Sequence, residues 1–344
     1  MTRFAGIAVA VLMAAAPAWA TNSPIELKTA LKDLMTILPG QFDNASQKFF
    51  EEENKTPKDL AHGSVYRSFT HIEAPDVGQN VLVATVRYGG KNGLFDNGEF
   101  QVWTLSVDAA RKAVKMSPRR FKDPAKYIDS ALDAAAFKGL MATDLIPAQG
   151  AASCDVYWRK FGKELRGQTE PGACSSMSTV MKMQLAWEWD YILNDTEMWI
   201  NFAGRDASGK IVNGQPDQTH FRLGKARDFE CLFGFRPEKG EPQTSNGPRM
   251  HDRGDVYVWE TKAPNKRSFY YTLLRGMWPS NSGRNYEDLL RISMYEGDPK
   301  KPEKSKFLGM GWASAASDRA SFGDGMYSGR CKLFDPSAPP IKGD

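Results

Sequence analysis

The sequence predicts a mainly β protein, an antiparallel sandwich or barrel that opens with a short helix. Three observations predict it. Short segments mixing β-branched or aromatic residues with polar ones recur along most of the chain, divided by Gly- and Asn-rich turns. Helical spacing is confined to the N-terminal region and one Ala-rich stretch. Hydrophobic residues make up 41% and aromatic residues 11% of the 344 residues, ample for a core.

The N-terminus reads as a secretory signal. Arg3 supplies a positive charge, Ala5 to Ala16 are apolar, and Ala18-Trp19-Ala20 gives a small-x-small cleavage pattern. Cleavage after Ala20 would start the mature chain at Thr21 and place it in the periplasm or another secreted compartment. The apolar run falls short of the ~20 residues that span a bilayer. No second run of that length follows, so no membrane span is expected.

The mature chain then starts a helix. Ser23 suits the N-cap, Pro24 the first helical position, and Glu26 completes a capping box. Leu27, Leu31, Leu34, Met35 and Leu38 recur at helical spacing until Pro39-Gly40 ends the run. A shorter polar helix is expected from Asn44 to Glu53, with Phe42, Phe49 and Phe50 facing inward. Strands are expected over 66–73, 80–88 and 98–107, the last buried on both faces. A further helix, Ala125 to Leu140, interrupts them. Strands resume over 152–160, 178–187, 196–203, 219–223 and 229–235. Pro237 to Pro248 collects turn formers and charges and reads as a linker or long loop. More strands follow over 256–261, 268–274, 290–295, 307–312 and 327–334.

Charge excludes one class of partner. The formal net charge of +4 is mild and its signs are interspersed, so no nucleic-acid footprint exists. The densest basic run, Lys300, Lys301, Lys304 and Lys306, is broken by Pro302 and Glu303 and reads as a solvated loop. His251-Asp252-Arg253-Gly254-Asp255 reads as a turn ahead of a strand. No Gly-x-Ser-x-Gly elbow marks a hydrolase. Neither Cys-x-x-Cys nor His-x-x-x-His spacing marks a metal site, and no resident metal or cofactor is expected.

Four cysteines, Cys154, Cys174, Cys231 and Cys331, suit an oxidising compartment. Three pairings are open to them. Pairing within regions of apparent strands favours Cys154 with Cys174 and Cys231 with Cys331.

The stretch Ser153-Cys154-Asp155-Val156-Tyr157-Trp158, followed by Leu165-Arg166-Gly167 and Glu170-Pro171-Gly172-Ala173-Cys174, resembles the CpcT/CpeT family of chromophore lyases. Pro39-Gly40-Gln41-Phe42-Asp43-Asn44 with Gln47 resembles the family's opening, and Asp206, Gly209 and Phe221-Arg222 its closing segment. The likeness covers roughly residues 27–235. It implies a calycin-like antiparallel barrel, similar in shape to lipocalins, over residues 21–236, and leaves 237–344 as an added β-rich region. In that family the barrel binds a linear tetrapyrrole and attaches it through a thioether to a phycobiliprotein.

The implied function is a chromophore lyase-like protein whose partner is a tetrapyrrole-like or other small amphipathic ligand. The alternative is a non-catalytic envelope interaction or structural protein. The residues implied at the ligand are Tyr88, Glu99, Gln101, Trp103, Arg119, Trp158 and Arg166. Trp187, Trp189 and Tyr157 are further flat walls, and Arg87 and Arg120 further cations. The family's Glu-Gln-x-Tyr strand survives only as Tyr88, and Gly98-Glu99-Phe100-Gln101 stands where the family carries Tyr-Arg-x-Arg. Ser117-Pro118-Arg119 replaces Glu-Asn-Tyr, and no catalytic residue is assigned.

Overall fold

A computed structural model describes residues 24–335, apart from 92, 96–98, 148–153, 179–180, 246, 264–265, 281 and 284. The segment expected as a signal, the expected Ser23 cap and Ser153 lie outside the described residues. No helix among the described residues is long and apolar enough to cross a membrane.

Helix α1 (Pro24–Ile37) follows its apolar spacing. Leu27, Ala30, Leu34 and Leu38 are buried, and the last three join the core inside a barrel. That barrel is built from β1 (Gly40–Asp43), β2 (Val65–Ile72), β3 (Val81–Tyr88), β4 (Gln101–Asp108) and β5 (Ala113–Phe121). It continues through β6 (Val156–Phe161), β7 (Glu164–Thr169), β8 (Met183–Leu193), β9 (Glu197–Arg205) and β10 (Phe221–Lys225). Each strand pairs antiparallel with the next in chain order. β10 returns to β1 through Phe42↔Lys225 and Asp43↔Gly224, closing a ten-stranded up-and-down barrel. Closure pairs each of the ten strands with a neighbour on both sides.

Three of these strands, β5, β7 and β1, were not expected. Pro118, Arg119 and Arg120 hid the first. Pro118 is tolerated opposite Trp103, near the barrel rim. Helix α2 (Ala45–Glu53) forms as expected, yet Phe49 and Phe50 are only partly buried and lie outside the barrel; of the three aromatics named there, Phe42 alone is core. Asn44 does not cap α2 with its side chain. It bonds Gly63 O and Val65 N instead, tying the helix start to β2.

The helix expected over Ala125 to Leu140 is instead a string of 3-10 turns, Pro124–Lys126, Ile128–Ser130 and Ala134–Phe137. Asp133 restarts the chain by accepting from Ala135 N. Tyr127, Ala131, Phe137 and Leu140 then anchor separate turns onto the barrel's outer wall, where Val81, Val83, Phe100, Val102 and Phe121 receive them. The run from Phe100 into β4 as far as Leu105 is accordingly buried on both faces, with Trp103 and Leu105 inside and Phe100 and Val102 outside.

The rest of the chain forms two packed sheets. One joins β11 (Asp228–Phe235), β16 (Arg319–Gly323) and β17 (Tyr327–Leu333). The other is β12 (Arg253–Glu260), β13 (Ser268–Pro279), β14 (Tyr286–Glu296) and β15 (Lys306–Ser314), in that order. Phe229, Phe233, Phe269, Tyr271, Leu290 and Ile292 fill the space between them. β11 was expected with the barrel, but it pairs with β17 along its whole length, from Phe229↔Leu333 to Phe235↔Tyr327. Both disulfides form as favoured, with Cα separations of 4.4 Å for Cys154–Cys174 and 4.0 Å for Cys231–Cys331.

The segment His251 to Asp255 is more than a turn. Its His251, Asp252 and Asp255 side chains are buried where barrel and sandwich meet. Asp255 pairs with Lys91 at 2.5 Å, Asp252 with Arg227 at 2.7 Å, and the His251 ring stacks on Tyr66. Tyr66 donates to Gln41, whose amide donates to Asp228 at 2.7 Å. Burial pushes the nearby Asp43 carboxyl up to about 7, and pushes His251 down to about 4.

Candidate functional site

Alternation along a barrel strand decides which side chains face the interior. In β3 the inward set is Leu82, Ala84, Val86 and Tyr88, and in β5 it is Val114, Met116, Pro118 and Arg120. The interior is filled at the end closed by α1, where Lys160 at the far end of β6 pairs with Asp33. At the opposite end a cavity of about 270 Å³ remains open.

Its walls are aromatic. Trp187, Trp189 and Tyr191 follow one another on the inward face of β8, and Phe202 and Trp103 complete the ring. Trp189 stacks parallel to Tyr191 at 6.0 Å and tilts against Phe202 at 5.2 Å. β8 and β9 run past the barrel proper, flanked by the short strands Cys174–Ser178 and Ile211–Gly214, and so build a lip over the cavity. Ser176 on that lip accepts from the Trp187 indole N–H at 2.9 Å. The Cys154–Cys174 disulfide lines the cavity and ties the lip to the start of β6.

Charges enter from two sides. Arg67 is buried inside β2 and donates to Glu99 at 3.3 Å, with its guanidinium 5.7 Å from the centre of the Trp189 ring. Burial opposes that charge, but Tyr191 and Glu99 beside it hold the Arg67 pKa above its ordinary value. Burial pushes the Tyr191 hydroxyl up to about 12, so it remains neutral. Arg120 also lines the cavity. Its Nε is buried without a hydrogen-bond partner, and no carboxylate among the described residues pairs with it.

The structure brings Tyr88, Glu99, Gln101 and Trp103 together at this cavity, with Gln101 accepting from the Trp103 indole at 2.8 Å. The other three residues named from the sequence lie elsewhere. Arg119 has the opposite parity to Arg120 and projects outward beside the short strand Leu145–Pro147. Trp158 points inward but is packed solid against Tyr191, wholly buried, and does not line the cavity. Arg166 faces solvent, paired with Glu164 at 3.0 Å. Tyr157 is also outside, beneath Arg111.

Arg67, Tyr191 and Phe202 were not named from the sequence. The signal for Arg67 was its place between the inward residues Val65 and Phe69, which only a firm strand register makes readable.

No protein-family profile matches the chain, and no curated protein matches it. Among solved structures it is similar to the selenomethionine CRL protein of Arabidopsis, at 14% identity over 57% of this chain and 97% of that one, with a TM-score of 0.39.

Proposed function

We propose that the barrel mouth binds, without covalent attachment, a flat amphipathic small molecule carrying an acidic group. The observation that carries this reading is an aromatic-walled cavity with one guanidinium, Arg120, that no carboxylate among the described residues neutralises. Apolar ligand surface gains about 25 cal/mol per Å² on burial, before association costs are subtracted. The volume of about 270 Å³ lies just below the ~300–1,000 Å³ of sites that enclose drug-sized ligands. A tetrapyrrole would therefore insert part of its length and leave the rest beneath the lip. Glu99 is already paired with Arg67 and Tyr191 stays a neutral hydroxyl, so neither is a ready acid or base, which favours holding a ligand over transferring one.

The CpcT/CpeT-like assignment, with export and a mature chain starting at Thr21, belongs to the same proposal. Intact-mass measurement of protein recovered from the envelope fraction checks the start; retention of Met1 to Ala20 there counts against it.

Tryptophan fluorescence tests the site. A linear tetrapyrrole dicarboxylate should quench emission, and Trp103→Ala should diminish the effect. Arg120→Ala should weaken the dicarboxylate roughly ten- to a hundredfold, as expected for a lost charged hydrogen bond, and leave its diester unchanged. Absence of quenching by any tetrapyrrole removes the proposal. An acid-stable adduct on an added phycobiliprotein subunit would replace binding with lyase chemistry.

A further inference from the structure

In the sheet β12–β15, alternate residues of β13 (Phe269, Tyr271 and Leu273) fill the sandwich core, so their neighbours face the other way. On that outer face the register lines up one row across all four strands, Val258↔Tyr270↔Tyr295↔Phe307. Tyr270 and Tyr295 stack at 4.8 Å, and Phe307 meets Tyr295 edge-on at 5.5 Å. Farther along the same face, Trp278 and Trp312 meet at 5.1 Å with the Arg291 guanidinium against both rings. The face is open along its edge strands, where Val258 and Phe307 are each 48% exposed, Met310 45% and Trp312 44%, whereas Tyr270 and Ser293 between them are buried. Exposed apolar side chains gathered along one edge strand, as Phe307, Met310 and Trp312 are along β15, mark an interaction surface.

Charge identifies the partner. The turn between β14 and β15 holds Lys300, Lys301 and Lys304, and β15 begins with Lys306; all four are exposed and outnumber Asp298 and Glu303. The β12–β13 turn ends at the same edge, because Glu260 faces Ser268 and Glu296 faces Lys306; it adds exposed Lys262. A lysine fringe thus borders the row that ends in Phe307. Aromatic rings sit at headgroup level and lysines gain from anionic lipid, so the two together match a bilayer surface. A second copy fits less well. Four strands about 4.8 Å apart, of 8 to 12 residues and so ~26–40 Å long, offer roughly 600 Å², short of the ~800 Å² per partner of a stable pair.

We propose that this face and its lysine fringe dock the protein on a bilayer bearing anionic phospholipid. Co-sedimentation of the whole protein with phosphatidylcholine vesicles, with and without phosphatidylglycerol, tests it. Binding is expected only with phosphatidylglycerol and should weaken as salt is raised. Lys300→Glu, Lys301→Glu and Lys304→Glu together, on an exposed turn, should lower partitioning at least ~tenfold. Phe307→Ser should lower it on its own, with an unchanged thermal midpoint showing that the fold is intact. Equal partitioning of the lysine variant and the parent, or no binding to phosphatidylglycerol vesicles, overturns the proposal. Dimerisation without vesicles that Phe307→Ser abolishes assigns the face to a second copy and overturns it equally.

Discussion

Gly167 stands opposite Trp158 in the β6–β7 register, beside the packed base of the cavity. A methyl group there would lie 2.5, 2.6 and 2.9 Å from three atoms of the Trp158 ring system. Carbon atoms pack at ~3.5–4.0 Å, so the overlap is about 1 Å. Trp158 has no room to yield, being wholly buried against Tyr191 at 5.4 Å. Overpacking costs ~1–3 kcal/mol, and this site belongs at the upper end. Gly167→Ala should therefore lose ~2–3 kcal/mol in urea unfolding with both disulfides intact. Gly63→Ala is the control: nothing lies within 4 Å of its added carbon, and stability should be unchanged or rise by at most ~1 kcal/mol. Trimming the clash partner should erase the effect, so Gly167→Ala in a Trp158→Leu background should cost under ~0.5 kcal/mol. Equal stability of Gly167→Ala and the parent would refute the idea that Trp158 is pinned.

Glu99→Gln leaves the Arg67 cation buried without its carboxylate and should cost ~3 kcal/mol by chemical denaturation, the lower end for a broken buried pair because Glu99 keeps some exposure. Asp43 in the fold keeps its proton to about 7, against 3.8 ordinarily, so the stability it contributes is complete below pH 3.8 and is lost as pH rises to 7. Asp43→Asn should match the parent near pH 4 and exceed it by up to roughly 4 kcal/mol at pH 8, as paired urea titrations would show. His251, depressed to about 4, acts oppositely, losing stability as pH falls from 6.5, so the parent's own profile should be the flatter of the two. Removing Cys154–Cys174 should cost about 3 kcal/mol and weaken ligand quenching, whereas removing Cys231–Cys331, separated by 100 residues, should cost nearer 4.7 and leave quenching unchanged.

Periodicity carried the architecture. The Leu27-to-Leu38 spacing located α1, and the two-faced apolar run around Phe100 to Leu105 located a strand covered on both sides. Where periodicity misled, longer contacts had overruled it: alanines 125–140 have helical propensity, yet Tyr127, Ala131, Phe137 and Leu140 gain more by reaching the barrel wall from separate turns. Half of the candidate site was legible as residue type and half depended on parity. Arg119 and Arg120 are indistinguishable in a sequence, and only the pairing of β5 with β4 sends one inward and the other out. Arg67 escaped notice because a buried cation is read from its partners, and Glu99 and Trp189 are remote from it in the chain.

The closure of the barrel has a kinetic consequence. Nine of its ten seams join strands that follow one another in the chain, so each can form locally. The tenth joins Phe42 and Asp43 to Lys225 and Gly224 across the whole barrel sequence, through only two register partners. Loop-closure entropy concentrates at that seam. A chain folding from its N-terminus can stack hairpins from β2 onward, but the outer edge of β1 stays unpaired until residue 225 arrives. Hydrogen exchange should report the amides of β1 and β10 as the last to gain protection and the first to lose it.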